Sequence, residues 1–161
     1  MERPTAPGSQ HGVAFIGLLL MIAAMGASLA VAGTIWHQVR QREKESELLF
    51  VGMQYRDAIR RYYEASTGAQ TYPPSLEVLL LDPRYPSIRR HLRRPWLDPL
   101  SGGGEWGLVK APEGGIMGVY SLAVATPIKR AKFPVHLGWK DGLVSYADWR
   151  FVYQPEQVPV P

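Results

Sequence analysis

The sequence predicts an α+β fold: a long N-terminal helix, membrane-inserted in its first half, amphipathic and soluble in its second, packed on a small antiparallel sheet. Three observations predict it. Val13 to Trp36 is a run of 24 residues without Asp, Glu, Lys or Arg. His37 to Ser66 contains no Pro and a single Gly, Gly52. Most of the 14 prolines and 16 glycines fall after residue 70, where short β-prone runs alternate with turn residues.

The uncharged run comes first. As a helix rising 1.5 Å per residue it spans about 36 Å, enough for a hydrocarbon core. Residues 1–12 form a polar leader, 13–36 the transmembrane half of the helix and 37–66 its soluble half. The N-terminus admits three forms: cleavage by a signal peptidase near Ala30-Val31-Ala32, an uncleaved anchor, or cleavage after Gly12. Small residues recur every fourth position, in one row as Ala24, Ser28 and Ala32 and in another as Gly26, Ala30 and Thr34. Such rows let helix backbones approach in lipid, although Ala and Gly are common in membrane helices generally.

The soluble half follows without a breaker. Leu48, Val51, Tyr55, Ala58, Ile59, Tyr62 and Tyr63 recur at helical spacing, with Arg56, Asp57, Arg60, Arg61 and Glu64 between them. Asp57 and Arg61 are spaced for an i,i+4 ion pair. A continuous helix over 14–66 would be roughly 80 Å long, too long for a domain of this size to bury.

Residues 67–154 form the head. Ser75 is placed to cap a short helix ending at Leu81, before Pro83. The stretch from Arg84 to Arg94 holds Arg84, Arg89, Arg90, Arg93 and Arg94 around His91. It is either an anionic-partner surface, for DNA, anionic lipid or an acidic protein face, or a solvated helical face paired with Asp82 and Asp98. Apart from Tyr85, no aromatic residue interleaves with the cations until Trp96, which makes nucleic acid the weaker option. Ser101 to Gly104 is a turn without the Lys-Ser/Thr ending of a phosphate loop. Strands are expected at Trp106–Lys110, Ile116–Val124 and Asp148–Gln154, the last with Trp149, Phe151 and Tyr153 on one face. Lys140-Asp141-Gly142 is a turn signal, Leu143 to Ala147 is ambiguous, and 155–161 is an extended tail.

Composition narrows the chemistry. The chain has 161 residues, no Cys and a net charge of +4. Without Cys there is no disulfide, thiolate metal site or thiol nucleophile. His11, His37, His91 and His136 lack metal-ligand spacing, and Ser121 is outside any nucleophile elbow. Asp141 and Asp148 could join a calcium loop, but two carboxylates with no clear third ligand argue against one. No catalytic residue, metal or cofactor is expected.

Gly12-Val13-Ala14-Phe15-Ile16, the uncharged run and the long helix together resemble the type IV pilin-like proteins, in particular the pseudopilins of type II secretion. Tyr72-Pro73-Pro74-Ser75-Leu76-Glu77-Val78-Leu79-Leu80, Trp96-Leu97-Asp98-Pro99 and Glu105-Trp106-Gly107-Leu108-Val109 extend the resemblance over most of residues 10–125. The resemblance implies cleavage after Gly12 by a prepilin peptidase and methylation of the Val13 amine. It implies a single-pass subunit of the bacterial inner membrane with a periplasmic head. Its partners would be other pilin-like subunits and the inner-membrane assembly machinery, met through the packing positions Gly17, Ala24, Gly26, Ser28, Ala30 and Ala32. Counting cations alone (Arg40, Arg42 and Lys44 after the run, Arg3 before it) would place the head in the cytoplasm. The resemblance argues against that count.

One departure stands out. Members of this group usually have Glu at the fifth mature position, and here that position is Gly17. The resemblance then implies a minor or tip subunit, or a divergent relative that does not assemble. The alternative is a membrane-anchored binding module that works through the arginine surface.

Overall fold

In the computed structural model, residues 10–66 and 68–155 are described, with the backbone alone for 10, 11, 29–35 and 136. The chain is α+β, with one α-helix, three single 3-10 turns and a three-stranded antiparallel sheet of order β1-β2-β3. It divides into two compact units, Met1–Arg40 and Gln41–Pro161. Most of the expected leader and residues 156–161 of the expected tail lie outside the described residues.

Helix α1 runs unbroken over Gln10–Glu64, matching the expected continuous helix and beginning a few residues earlier. No breaker interrupts it, because neither Pro nor a Gly pair occurs inside it. Described side chains of the first unit, over 12–28 and 36–40, are all exposed. Among the described residues no helix is long and apolar enough to cross a membrane, so the expected span remains a reading of the sequence.

In the second unit the helical stripe is buried as expected: Leu48, Val51, Tyr55, Ala58, Ile59 and Tyr62 join Leu79, Leu92, Trp106, Ile116, Val119, Tyr146, Trp149 and Phe151 in one core. The expected Asp57–Arg61 pair is corrected. Arg60 instead reaches Asp57 at 3.8 Å and Glu64 at 3.6 Å, while Arg61 donates to the His91 carbonyl at 2.9 Å. A loop carbonyl within reach displaces an exposed ion pair worth only a few tenths of a kcal/mol.

Strands β1 (Gly107–Lys110), β2 (Ile116–Tyr120) and β3 (Phe151–Val152) are shorter than the sequence suggests. β1 pairs with β2 from Gly107↔Tyr120 to Lys110↔Ile116 around a bulge at Val109/Lys110. β2 stops at Tyr120 because the next residue, Ser121, turns its hydroxyl to the buried Asp98 carboxylate at 2.6 Å. β3 is cut short on its N-terminal side by the 3-10 turn Tyr146–Asp148, which Ser145 and Asp148 close as a capping box. The alternation still holds, with Trp149 and Phe151 fully buried and Arg150 exposed.

Two further expectations change. The helix from Ser75 to Leu81 is a single 3-10 turn, Glu77–Leu79, preceded by Leu76 without a side-chain cap. The Ser75 hydroxyl bonds the Glu77 side chain instead, lowering that carboxyl's pKa. Residues 84–94 are not helical. Asp82 N–H donates to Arg89 O, and Leu79 O accepts from both His91 and Leu92, so the segment closes as a loop.

Two glycines fit close approaches. Gly52 lets the Phe151 ring lie against α1, where any Cβ would sit inside the ring's envelope. Gly115, at φ 81° in the β1–β2 turn, lies against the Tyr72 backbone, and the neighbouring Ile116 N–H donates to Pro73 O at 2.8 Å.

Candidate functional site

The expected processing and packing positions lie on the first unit of α1. Gly12 occupies the first turn of the helix, and Val13 is 75% exposed. A Cβ at Gly12, Gly17 or Gly26 would meet nothing within 4 Å. Phe15, Ile16, Leu18, Leu19, Leu20, Met21, Ile22 and Met25 are each at least half exposed. The Ser28 hydroxyl donates to Ala24 O at 2.8 Å, which satisfies it without a neighbouring chain and leaves the Ala24/Ser28 row small and apolar in effect. The side chains of Ala30 and Ala32 lie outside the described residues. Over 12–28 the exposed apolar side chains thus form a continuous surface that no described residue covers.

The five arginines do not form one surface. Arg84 is drawn inward to Asp82, whose side chain is fully buried. Its Nη2 lies 2.7 Å and its Nε 2.9 Å from the two Asp82 oxygens. The guanidinium stacks 3.6 Å from the Tyr62 ring centroid and also donates to Tyr62 O and Ser66 Oγ. His91 Nε2 lies 2.9 Å from Asp82 Oδ2, also buried, with its ring edge-on to Tyr62. The Arg84 bonds, reinforced by His91, hold the Asp82 carboxyl well below the usual carboxylate range despite its burial. Arg89 stacks on Tyr85 and Arg94 on Trp96. Arg90 and Arg93 are exposed, with no acid at ion-pair distance among the described residues. The expected partner Asp98 binds Ser121 and the Leu100 N–H instead of an arginine.

Sequence reasoning missed the buried polar joints of the head. Asp82–Arg84–His91 is one. Another is Glu45, 3% exposed, whose carboxylate accepts from Tyr146 Oη at 2.8 Å, Ile128 N at 2.5 Å and Lys129 N at 3.2 Å. Gln41, one helical turn earlier, donates to Tyr146 Oη and to Thr126 O, each at 3.1 Å. Burial, with the Glu45 carboxylate adding to it, pushes the Tyr146 phenol up to about 12. The available signal was the i,i+4 spacing of Gln41 and Glu45 on the buried edge of the helical stripe.

The remaining chemistry is sparse. Asp148 accepts from the Ser145 N–H and Asp141 lies exposed in a turn. Among the described residues no three His, Cys, Asp or Glu side chains gather as a metal site. A cleft of about 440 Å³ between Tyr55, Leu76, Trp96 and Trp106 is also lined by Ser75 and Glu77, whose side chains bond each other. Tyr55 Oη donates to Trp96 O and accepts from Trp96 N, bracing that loop.

Neither a family model, nor a curated protein, nor a solved structure matches this chain.

Proposed function

We propose that this chain is a membrane-anchored, pilin-like structural subunit, minor or terminal in a type II secretion or type IV pilus-like assembly. One observation carries the reading. A single helix supplies the core stripe from Leu48 to Tyr62, yet every described side chain over 12–28 is exposed. That first unit needs lipid or other copies of such helices to cover it. The uncharged run Val13–Trp36 is the matching sequence signal for a single span.

In this reading a prepilin peptidase cuts after Gly12, and Val13 becomes the methylated N-terminus. The head is periplasmic and docks against neighbouring subunits, and the chain performs no catalysis. Gly17 removes the carboxylate that would meet a neighbour's amine in lipid, where an unpaired charge is costly. A terminal position, with one neighbour missing, suits that loss. The alternative, an anchored binding module, has less support, because Arg84, Arg89 and Arg94 are engaged within the chain.

N-terminal mass spectrometry of the membrane-extracted protein tests the proposal. The expected product begins at methylated Val13. A mature chain beginning at Met1 or Gly33, in cells with an active prepilin peptidase, would overturn it.

A further inference from the structure

A second cationic surface lies apart from the arginine loop. From Gly114 to Lys140 the sequence contains no acid, while Lys129, Arg130, Lys132 and Lys140 fall in its second half. The segment around 126–130 is fixed to the first turns of α1 in the second unit. Gln41 holds Thr126 O, and Glu45 holds the Ile128 and Lys129 N–H groups. Gly142 N–H, from the Lys140–Gly142 turn, donates to Arg130 O at 2.8 Å.

These bonds hold the backbone; Arg42, Arg130 and Lys132 are exposed, Arg130 with its Nε donating to Pro127 O at 3.4 Å, while Lys129 is half-buried with its ammonium 5.8 Å from the Phe133 ring centroid. The Glu45 carboxylate beneath the loop is occupied by three donors: Ile128 N–H, Lys129 N–H and the Tyr146 hydroxyl. None of Arg42, Lys129, Arg130 or Lys132 is in an ion pair among the described residues. Lys132 has φ 58°, a conformation that favours Gly. Ile128 and Val124, 36% and 97% exposed, add apolar contacts. A cleft of about 360 Å³ runs between Arg42, Ser46 and Leu49 on the helix and Ile128 and Lys129 on the loop, with the spent Glu45 at its base. Glu43 and Glu47, one position on from Arg42 and Ser46 and about 100° around the helix, do not line it.

Chain length bounds the distance between the uncharged run and the start of this unit. Gln41 follows Trp36, the end of the uncharged run, by five residues. Five residues reach at most about 18 Å even fully extended. The field of an anionic leaflet falls off over roughly 8–10 Å, so it acts on those cations that lie in the nearer half of that reach.

We infer that the 126–132 loop, with Arg42 beside it, is a docking surface for the phosphodiester headgroups of an anionic membrane leaflet. The inference rests on the reading of Val13–Trp36 as a span. Docking there would fix the head against the bilayer from which the helix emerges. It would also give Arg42 a role that does not depend on topology signalling.

The test uses the full chain reconstituted into nanodiscs of phosphatidylcholine, alone or mixed with phosphatidylglycerol, followed by amide hydrogen exchange. Amides of 126–133 should exchange severalfold more slowly in the anionic discs. The difference should disappear in high salt and in the triple variant Lys129→Gln, Arg130→Gln, Lys132→Gln, while amides of 48–63 stay unchanged. Should the variant fold poorly, the salt dependence of the wild type decides alone. Equal exchange in both lipids, with the chain inserted, overturns the docking surface and leaves the span intact. A chain that does not enter discs of either composition overturns both. Equal protection by inorganic phosphate or duplex DNA in neutral discs overturns the assignment to lipid.

Discussion

The Tyr146 hydroxyl donates to the Glu45 carboxylate at 2.8 Å, across 101 positions of sequence and with both side chains buried. The bond ties the 3-10 turn before β3 to the first turns of α1 that build the head. Replacing Tyr146 by Phe leaves a buried carboxylate short of one donor, at a cost of about 1–3 kcal/mol. Urea unfolding should show a lower midpoint with an unchanged slope.

The same phenol makes an alkaline prediction. Its pKa is raised from the ordinary 10.0 to about 12 in the folded state. The stabilisation it contributes is complete below about pH 10 and is lost as pH rises towards about 12. Spectrophotometric titration should find a late tyrosine in the wild type that is missing from Tyr146→Phe.

Asp82 makes the opposite, acid-side prediction. Arg84 and His91 lower its folded pKa, so its contribution is complete above the ordinary carboxylate value of about 3.9. It declines as pH falls below that value, through the folded pKa. Asp82→Asn should lose about 3–5 kcal/mol at neutral pH by leaving the Arg84 guanidinium without its charge partner. Its stability should then fall less steeply than the wild type's between about pH 4 and pH 2 in denaturant titrations.

Gly52→Ala sets helix propensity against packing. Ala is favoured over Gly by up to about 1 kcal/mol in a helix interior. At Gly52 the added methyl would meet the Phe151 ring, and overpacking costs about 1–3 kcal/mol. The expected outcome is a net loss of stability, read as a lower thermal midpoint. A gain would show that the ring yields freely.

Gly17→Glu tests the assembly reading. A Cβ at this position meets nothing within 4 Å among the described residues, so the head's thermal midpoint should be unchanged. If the proposed stacking holds, the added carboxylate raises co-purification with partner subunits from membranes. Unchanged co-purification would argue against a deficit at this position.

The helical stripe from Leu48 to Tyr63 was legible because its period of 3.6 is local and every member faces the same core. Turn residues at Gly102, Gly103, Gly114, Gly115 and Gly142 were legible for the same local reason, and all have positive φ. Strand lengths were not, because β2 and β3 end where Ser121 and Ser145 find hydrogen-bond partners. The arginine loop was misjudged as helical for a related cause. Arg84 obeys Asp82, two residues away, but only once Tyr62 of α1 provides a face to stack on. Buried acids such as Glu45 look like ordinary surface residues until distant segments supply their donors.

The fit of Phe151 into the notch at Gly52 has a mechanical consequence. A slip of α1 by one residue would turn the notch about 100° away and advance it about 1.5 Å, putting a side chain against the ring. The ring thus behaves as a key in a keyway, which permits neither rotation nor sliding of the shaft beneath the sheet. Any torque or axial load applied to this stretch of helix passes directly into β3 and, through its pairing with Gly118 and Val119, into the rest of the sheet.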